Sequence, residues 1–297
     1  MRKAILVVAS LAFAGAPTVM QDALGQALAP NAQIARGDYL VNGPMGCGNC
    51  HTQKNADLTP IANLALAGGQ KFNAPFGLAF SKNLTPDVDT GIGAWSAAEI
   101  VRAVREGVSK EGAVIGPPMP VRFYNKLSDE DANAIAAYLK SLKPIRNEVG
   151  EAKYKVPLQP QPPAAGVTAP PRTDKVAYGG YVANAAHCFE CHTAPGPNVA
   201  LGSGGRPFAP IEGKPIRTPN ITSDPETGIG AWTDDQIKAA ITKGVDKDGR
   251  QLIPLMPYPY LKNMTPEDLD AVVAFLRTVP AAKNAVPRNP PLQTYLQ

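Results

Sequence analysis

Polar caps followed by apolar residues at helical spacing recur along this chain, and they come in matched pairs. Ser128-Asp129-Glu130-Asp131 opens a segment in which Ile135, Tyr138, Leu139 and Leu142 share one face. Thr265-Pro266-Glu267-Asp268 opens its counterpart, with Pro266 at the first helical position and Leu269, Val272, Val273 and Leu276 turned inward. Ser96-Ala97-Ala98-Glu99 is a capping box whose helix runs to Gly107, and Thr233-Asp234-Asp235-Gln236 repeats the design up to Gly244. Residues 31–42 and 175–184 predict two more helices, with Tyr39 and Tyr181 as packing residues. No window alternates convincingly as a strand would. The expected fold class is mainly α.

The pairing reflects a duplication. Asn83-Leu84-Thr85-Pro86-Asp87 returns as Asn220-Ile221-Thr222-Ser223-Asp224, and Thr90-Gly91-Ile92-Gly93-Ala94-Trp95 returns unchanged as Thr227 to Trp232. The offset of 137 also carries Met119 onto Met256. Two tandem domains follow, 30–146 and 174–282, each expected to fold on its own. Residues 147–173 hold Pro157, Pro160, Pro162, Pro163, Pro170 and Pro171, which reads as an extended, semi-rigid linker with no packing of its own. Residues 283–297 read as a polar tail. Residues 1–29 read as an export signal: Arg2 and Lys3 precede the apolar run Ala4–Ala16, too short to span a bilayer. Export predicts a periplasmic protein, with a partner as its possible route to the inner membrane.

The chemistry lies in two pentapeptides, Cys47-Gly48-Asn49-Cys50-His51 and Cys188-Phe189-Glu190-Cys191-His192. They consume all 4 cysteines of the chain. C-x-x-C-H is the attachment signature of c-type haem: two thiols on one helical turn reach one porphyrin, and the next histidine is aimed at its iron. Structural zinc wants four Cys/His ligands and each motif offers three. Dithiol redox chemistry would not require a histidine after both pairs. The expected cofactors are two covalently bound haem c, held by Cys47, Cys50, Cys188 and Cys191.

The axial ligands follow by elimination. Of 3 histidines, His51 and His192 belong to the motifs, and His187 directly precedes Cys188, where it reads either as a surface residue or as one that packs behind the haem-holding groups. Met119 and Met256 are equivalent by the repeat and sit beside prolines that stiffen their loops, so they are the expected sixth ligands. Met45 and Met264 have no counterparts and read as packing residues. Trp95 and Trp232 are either core aromatics or indole donors to haem propionates, and Asn83 and Asn220 are further candidate propionate contacts. The formal charge of +4 falls near neutrality once the signal is removed and four propionates are added, so no nucleic-acid partner is implied. Glu190 beside the second haem and Arg122 beside the first predict a lower potential for the second.

Gly68-Gly69, Pro75-Phe76-Gly77, Asn83 to Asp87, Thr90 to Trp95, Met119-Pro120 and their second-copy equivalents together resemble the cytochrome c subunits of periplasmic alcohol and gluconate-type dehydrogenases. The resemblance implies a class I cytochrome c fold for each copy. It also implies an electron carrier rather than an enzyme, fed by a dehydrogenase and emptied by a quinone, another cytochrome or a terminal oxidase. Those subunits usually carry three haem modules, and this chain has two motifs. The alternative is a dihaem peroxidase, which needs one iron open to peroxide; methionine at both equivalent positions argues against it.

Overall fold

The computed structural model describes residues 29–211 and 213–295. The signal-like segment therefore lies outside the described residues, apart from its last position. Among the described residues no helix is long and apolar enough to cross a membrane.

The first module runs α1 (Pro30–Asn42), α2 (Gly48–His51), β1 (Lys71–Ala74), β2 (Gly77–Phe80), α3 (Ala97–Glu106), α4 (Val121–Tyr124) and α5 (Asp129–Ser141). After β3 (Lys153–Tyr154), the second repeats the plan with α6 (Lys175–Ala185), α7 (Cys188–Cys191), β4 (Pro207–Ile211), β5 (Lys214–Arg217), α8 (Asp234–Lys243), α9 (Tyr258–Leu261) and α10 (Pro266–Thr278). The helices begin where their caps do. Ser96 and Thr233 form reciprocal capping boxes with Glu99 and Gln236, and Gly107 and Gly244 end those helices in the left-handed region. Ser128 and Thr265 accept from Asp131 N and Asp268 N at the starts of α5 and α10.

In each module the first helix crosses the last at a glycine. Gly37 lies against the Ala134 carbonyl and Gly179 against the Ala271 carbonyl, so closely that any Cβ would overlap it. The crossing buries Leu40, Val41, Ile135 and Leu139 in one module, and Val182, Ala183, Val272 and Val273 in the other.

Two features correct the sequence reading. Short antiparallel hairpins are present, β1–β2 paired from Lys71↔Phe80 to Ala74↔Gly77, and β4–β5 from Pro207↔Arg217 to Ile211↔Lys214. With four or five residues per strand, alternation is too brief to register as a pattern. The supposed linker and tail are also bonded parts of the modules. Asn147 and Asn284 occupy equivalent places, each donating from its backbone to a threonine hydroxyl (Thr90 and Thr227) and from its amide to the carbonyls of Ala67 and Ser203. Beyond Asn147, β3 extends the first hairpin through Gly77↔Tyr154, and Tyr154 and Leu158 pack on Gly116. Gln161 N then donates to Glu106 O, and Gly166 N to Asp129. Beyond Asn284, the Asn289 amide pairs in both directions with the backbone of Arg217.

The modules are not separate bodies. One contiguous apolar core includes Leu40, Ile92 and Leu139 of the first together with Val182, Ile229 and Leu276 of the second. The seam is reciprocal. Tyr39 on α1 donates to Asp268 at the start of α10 (2.6 Å), and Tyr181 on α6 donates to Asp131 at the start of α5 (2.6 Å). Both carboxylates are buried, Asp268 at 0% and Asp131 at 3% exposure. Arg36 grips Asp131 through both oxygens and Arg172 pairs with Asp268, so neither buried charge is left alone. Burial, then the facing aspartate, holds each phenol well above the ordinary tyrosine pKa, so both remain donors.

The shared core replaces the expectation of autonomous domains. Holoprotein should unfold in urea as a single transition. Tyr39→Phe and Tyr181→Phe should each cost about 2 kcal/mol, because a buried carboxylate loses a charge-assisted donor. Two resolved transitions, with each module melting alone, would contradict the common seam.

Candidate haem sites

Each motif is one tight turn. Cys50 N and His51 N donate to Cys47 O at 3.2 and 2.9 Å, and His192 N donates to Cys188 O at 3.0 Å. The turn sets both sulfurs on one side of a helix and the histidine directly after them. Burial, with the companion cysteine as the next cause, pushes the Cys47 and Cys188 thiols up to about 12. Cys191 also reaches about 12 by burial, and Cys50 is raised for the same reason.

The histidines share one device. His51 Nδ1 lies 2.7 Å from Lys82 O and His192 Nδ1 lies 2.8 Å from Pro219 O. A carbonyl only accepts, so Nδ1 carries the proton and Nε2 keeps its lone pair for a metal. Burial lowers both imidazole pKa values and favours the neutral ring. Behind each acceptor stands a glycine, Gly68 (φ 74°) or Gly204 (φ 76°). A Cβ there would sit 2.5 Å from the carbonyl carbon of Lys82 or Pro219. These glycines also donate to the backbone carbonyls of His51 and His192 at 2.7 and 2.8 Å.

Asn83 and Asn220 follow those acceptor carbonyls, and their geometry corrects the propionate reading. The Asn83 oxygen accepts from Thr85 N and Oγ1 (2.9 and 2.8 Å), and its amide donates to Thr90 Oγ1 and Ile145 O (3.1 and 2.8 Å). Asn220 makes the same four bonds with Thr222, Thr227 and Ala282. An amide has two donors, and both are spent. These residues instead fix the loop that presents the acceptor to the histidine.

Met119 and Met256 sit in matching turns, with Val121 N and Tyr258 N donating to their carbonyls. Both are half-buried against the core, whereas Met45 and Met264 are interior at 2% and 7% exposure. Trp95 and Trp232 are also half-buried against the core. Among the described residues their indole N–H groups donate to no protein atom, so they remain open to a propionate. His187 is not a surface residue. It is half-buried in the seam, with its ring edge-on to Tyr124 at 5.9 Å.

The charge contrast between the sites also needs correction. Arg122 reaches across the seam to Glu190 at 2.7 Å, and Arg206 meets the other Glu190 oxygen at 3.0 Å. Opposite charges this close act as a dipole, so they do not separate the two potentials as independent charges would.

Residues 34–143 and 176–280 each match the Cytochrome c family. The chain belongs to the cytochrome c family. It carries two covalently bound haem c groups, one per repeat. The donor sets fit that cofactor: two neighbouring thiols and one imidazole with a free Nε2 in each module. Among similar proteins, the fructose dehydrogenase cytochrome subunit of Gluconobacter japonicus is 31% identical over 86% of this chain and 54% of its own length. The cytochrome c subunit of an alcohol dehydrogenase (quinone) from Gluconobacter oxydans (strain 621H) is 29% identical over 85% of the chain and 56% of its own. The chain thus spans just over half the length of these relatives. A diheme cytochrome c-type protein of Cereibacter sphaeroides is 27% identical and matches across 80% of this chain and 82% of its own. The comparisons lend no support to a peroxidase.

Asn83→Ala should release the loop behind Lys82 and cost at least about 2 kcal/mol, since buried partners lose their bonds. The same variant should broaden the electron paramagnetic resonance signal of the first haem through a less fixed His51 ring. A signal and a stability both unchanged would show that Asn83 does not position the histidine.

Proposed function

We propose that this protein collects electrons from a dehydrogenase in the periplasm and passes them to a quinone, another cytochrome or a terminal oxidase. The observation that carries the reading is the doubled histidine device, Nδ1 on a backbone carbonyl and Nε2 free, within two modules similar to dehydrogenase cytochrome subunits. In this reading Cys47 and Cys50 hold the first haem and Cys188 and Cys191 the second. His51 and Met119 would hold the first iron, and His192 and Met256 the second.

A haem iron supplies reversible one-electron oxidation and reduction; the chain decides what else it can do. Imidazole Nδ1 bonds fix ring orientation, so no ligand has to move during electron transfer. The Met119 and Met256 thioethers, if bound to the irons, would favour the ferrous state and close both sites to substrates, which suits a carrier rather than an enzyme. Tryptophans 95 and 232 would offer indole N–H donors to the propionates, satisfying a donor and an anion together.

Purified holoprotein should be reduced by a periplasmic alcohol or sugar-acid dehydrogenase supplied with its substrate, and should turn over hydrogen peroxide at no more than background. Failure to accept electrons from any such enzyme, or rapid peroxide turnover, would sink the reading. Met119→Ala and Met256→Ala should each convert one haem to a high-spin, carbon-monoxide-binding form. Retention of the methionine–iron absorption band in the double variant would rule out those ligands.

A further inference from the structure

The seam places each methionine loop against the other module's haem motif. From Met256-Pro257 the chain enters α9, whose Tyr260 packs on Gly48 of the first motif. From Met119-Pro120 it enters α4, where Phe123 O accepts from Asn184 on α6 and Arg122 pairs with Glu190 inside the second motif. At the centre is Tyr124, 3% exposed, edge-on to His187 just before Cys188. Its phenol donates to no protein atom among the described residues. Burial first, and then the nearby Cys47, Cys50, Cys191 and Glu190, hold that phenol well above the ordinary tyrosine pKa. Those neighbours come from both motifs. Tyr260, by contrast, senses cysteines of the first motif alone. The repeat puts Leu261 where the first module has Tyr124, so the ring is supplied from one side only.

We propose that the Tyr124 ring fills the gap between the two haem sites and sets the rate at which an electron passes between them. It is a positioning residue. In the exchange one iron is oxidised by one electron and the other is reduced by one, with no bond made and no proton moved. The physical requirement is continuous contact: a gap in packing removes the atoms through which the two sites couple, and interiors relax only in part around a lost side chain. Leucine fills less of this space than tyrosine, while phenylalanine keeps the ring.

The proposal rests on the dihaem reading with methionine ligation, and its test separates the two. In half-reduced holoprotein, nuclear magnetic resonance exchange between the oxidised and reduced forms of each haem reports electron hopping. The part independent of protein concentration is intramolecular. Tyr124→Phe should exchange at the native rate, and Tyr124→Leu several-fold more slowly, with both midpoint potentials near native and the melting temperature lowered by the lost packing. Tyr124→Met serves as a second non-aromatic filler should the leucine variant fail to take up haem, and it too should be slow. Native exchange in the leucine or methionine variant overturns the proposal, as does a phenylalanine variant as slow as leucine. Absence of ring-current-shifted methionine methyl signals from ferrous native protein would instead remove the ligation reading beneath it.

Discussion

The structure depends on a neutral imidazole with one nitrogen already committed. His51 and His192 can serve iron through Nε2 only if Nδ1 keeps its proton, and a backbone carbonyl at 2.7 or 2.8 Å enforces that. Much of each module supports this bond. Gly68 and Gly204 bring two stretches of backbone close enough for the carbonyl to be in place. Asn83 and Asn220, with four hydrogen bonds each, stop the loop from drifting. The threonines they hold, Thr85 and Thr222, also receive backbone donors from Ile145 and Ala282, so the end of each module is tied to its histidine.

The second constraint is the seam. Asp131 and Asp268 are buried carboxylates, each at the start of a helix where the backbone dipole favours negative charge. Each is completed by an arginine and by a tyrosine from the opposite module. Breaking the modules apart would strip each buried carboxylate of its cross-seam tyrosine donor and leave it to its arginine. That makes association part of folding rather than a later event, and it fixes how the two motifs face one another. The same seam joins Arg122 to Glu190, turning two site charges into one bonded pair.

The repeat is close but not symmetrical. Tyr124 of the first copy corresponds to Leu261 of the second, and residues 147–173 brace the first module where residues 283–295 brace the second. Both haem sites thus share their ligand-holding parts and differ at the surfaces where they meet. Equivalent histidine devices with unequal surroundings are the arrangement from which two similar sites of one chain acquire separate properties.

The local parts were legible in the sequence. Capping boxes at Ser96 and Thr233, helix stops at Gly107 and Gly244, both haem motifs and the 137-residue repeat depend on neighbours in the chain, and such neighbours leave a readable pattern. The tertiary structure alone decided what depends on distant partners. Asn83 looked like a ligand contact until Thr90 and Ile145 were found on its amide, and only Tyr124 beside it decided between the surface and packed readings of His187. Proline content made residues 147–173 read as a spacer, because composition records stiffness but not what a stiff segment lies against. The shared core was hidden for the same reason. Tyr39 and Asp268 stand 229 residues apart, and no local pattern marks a hydrogen bond that only folding brings together.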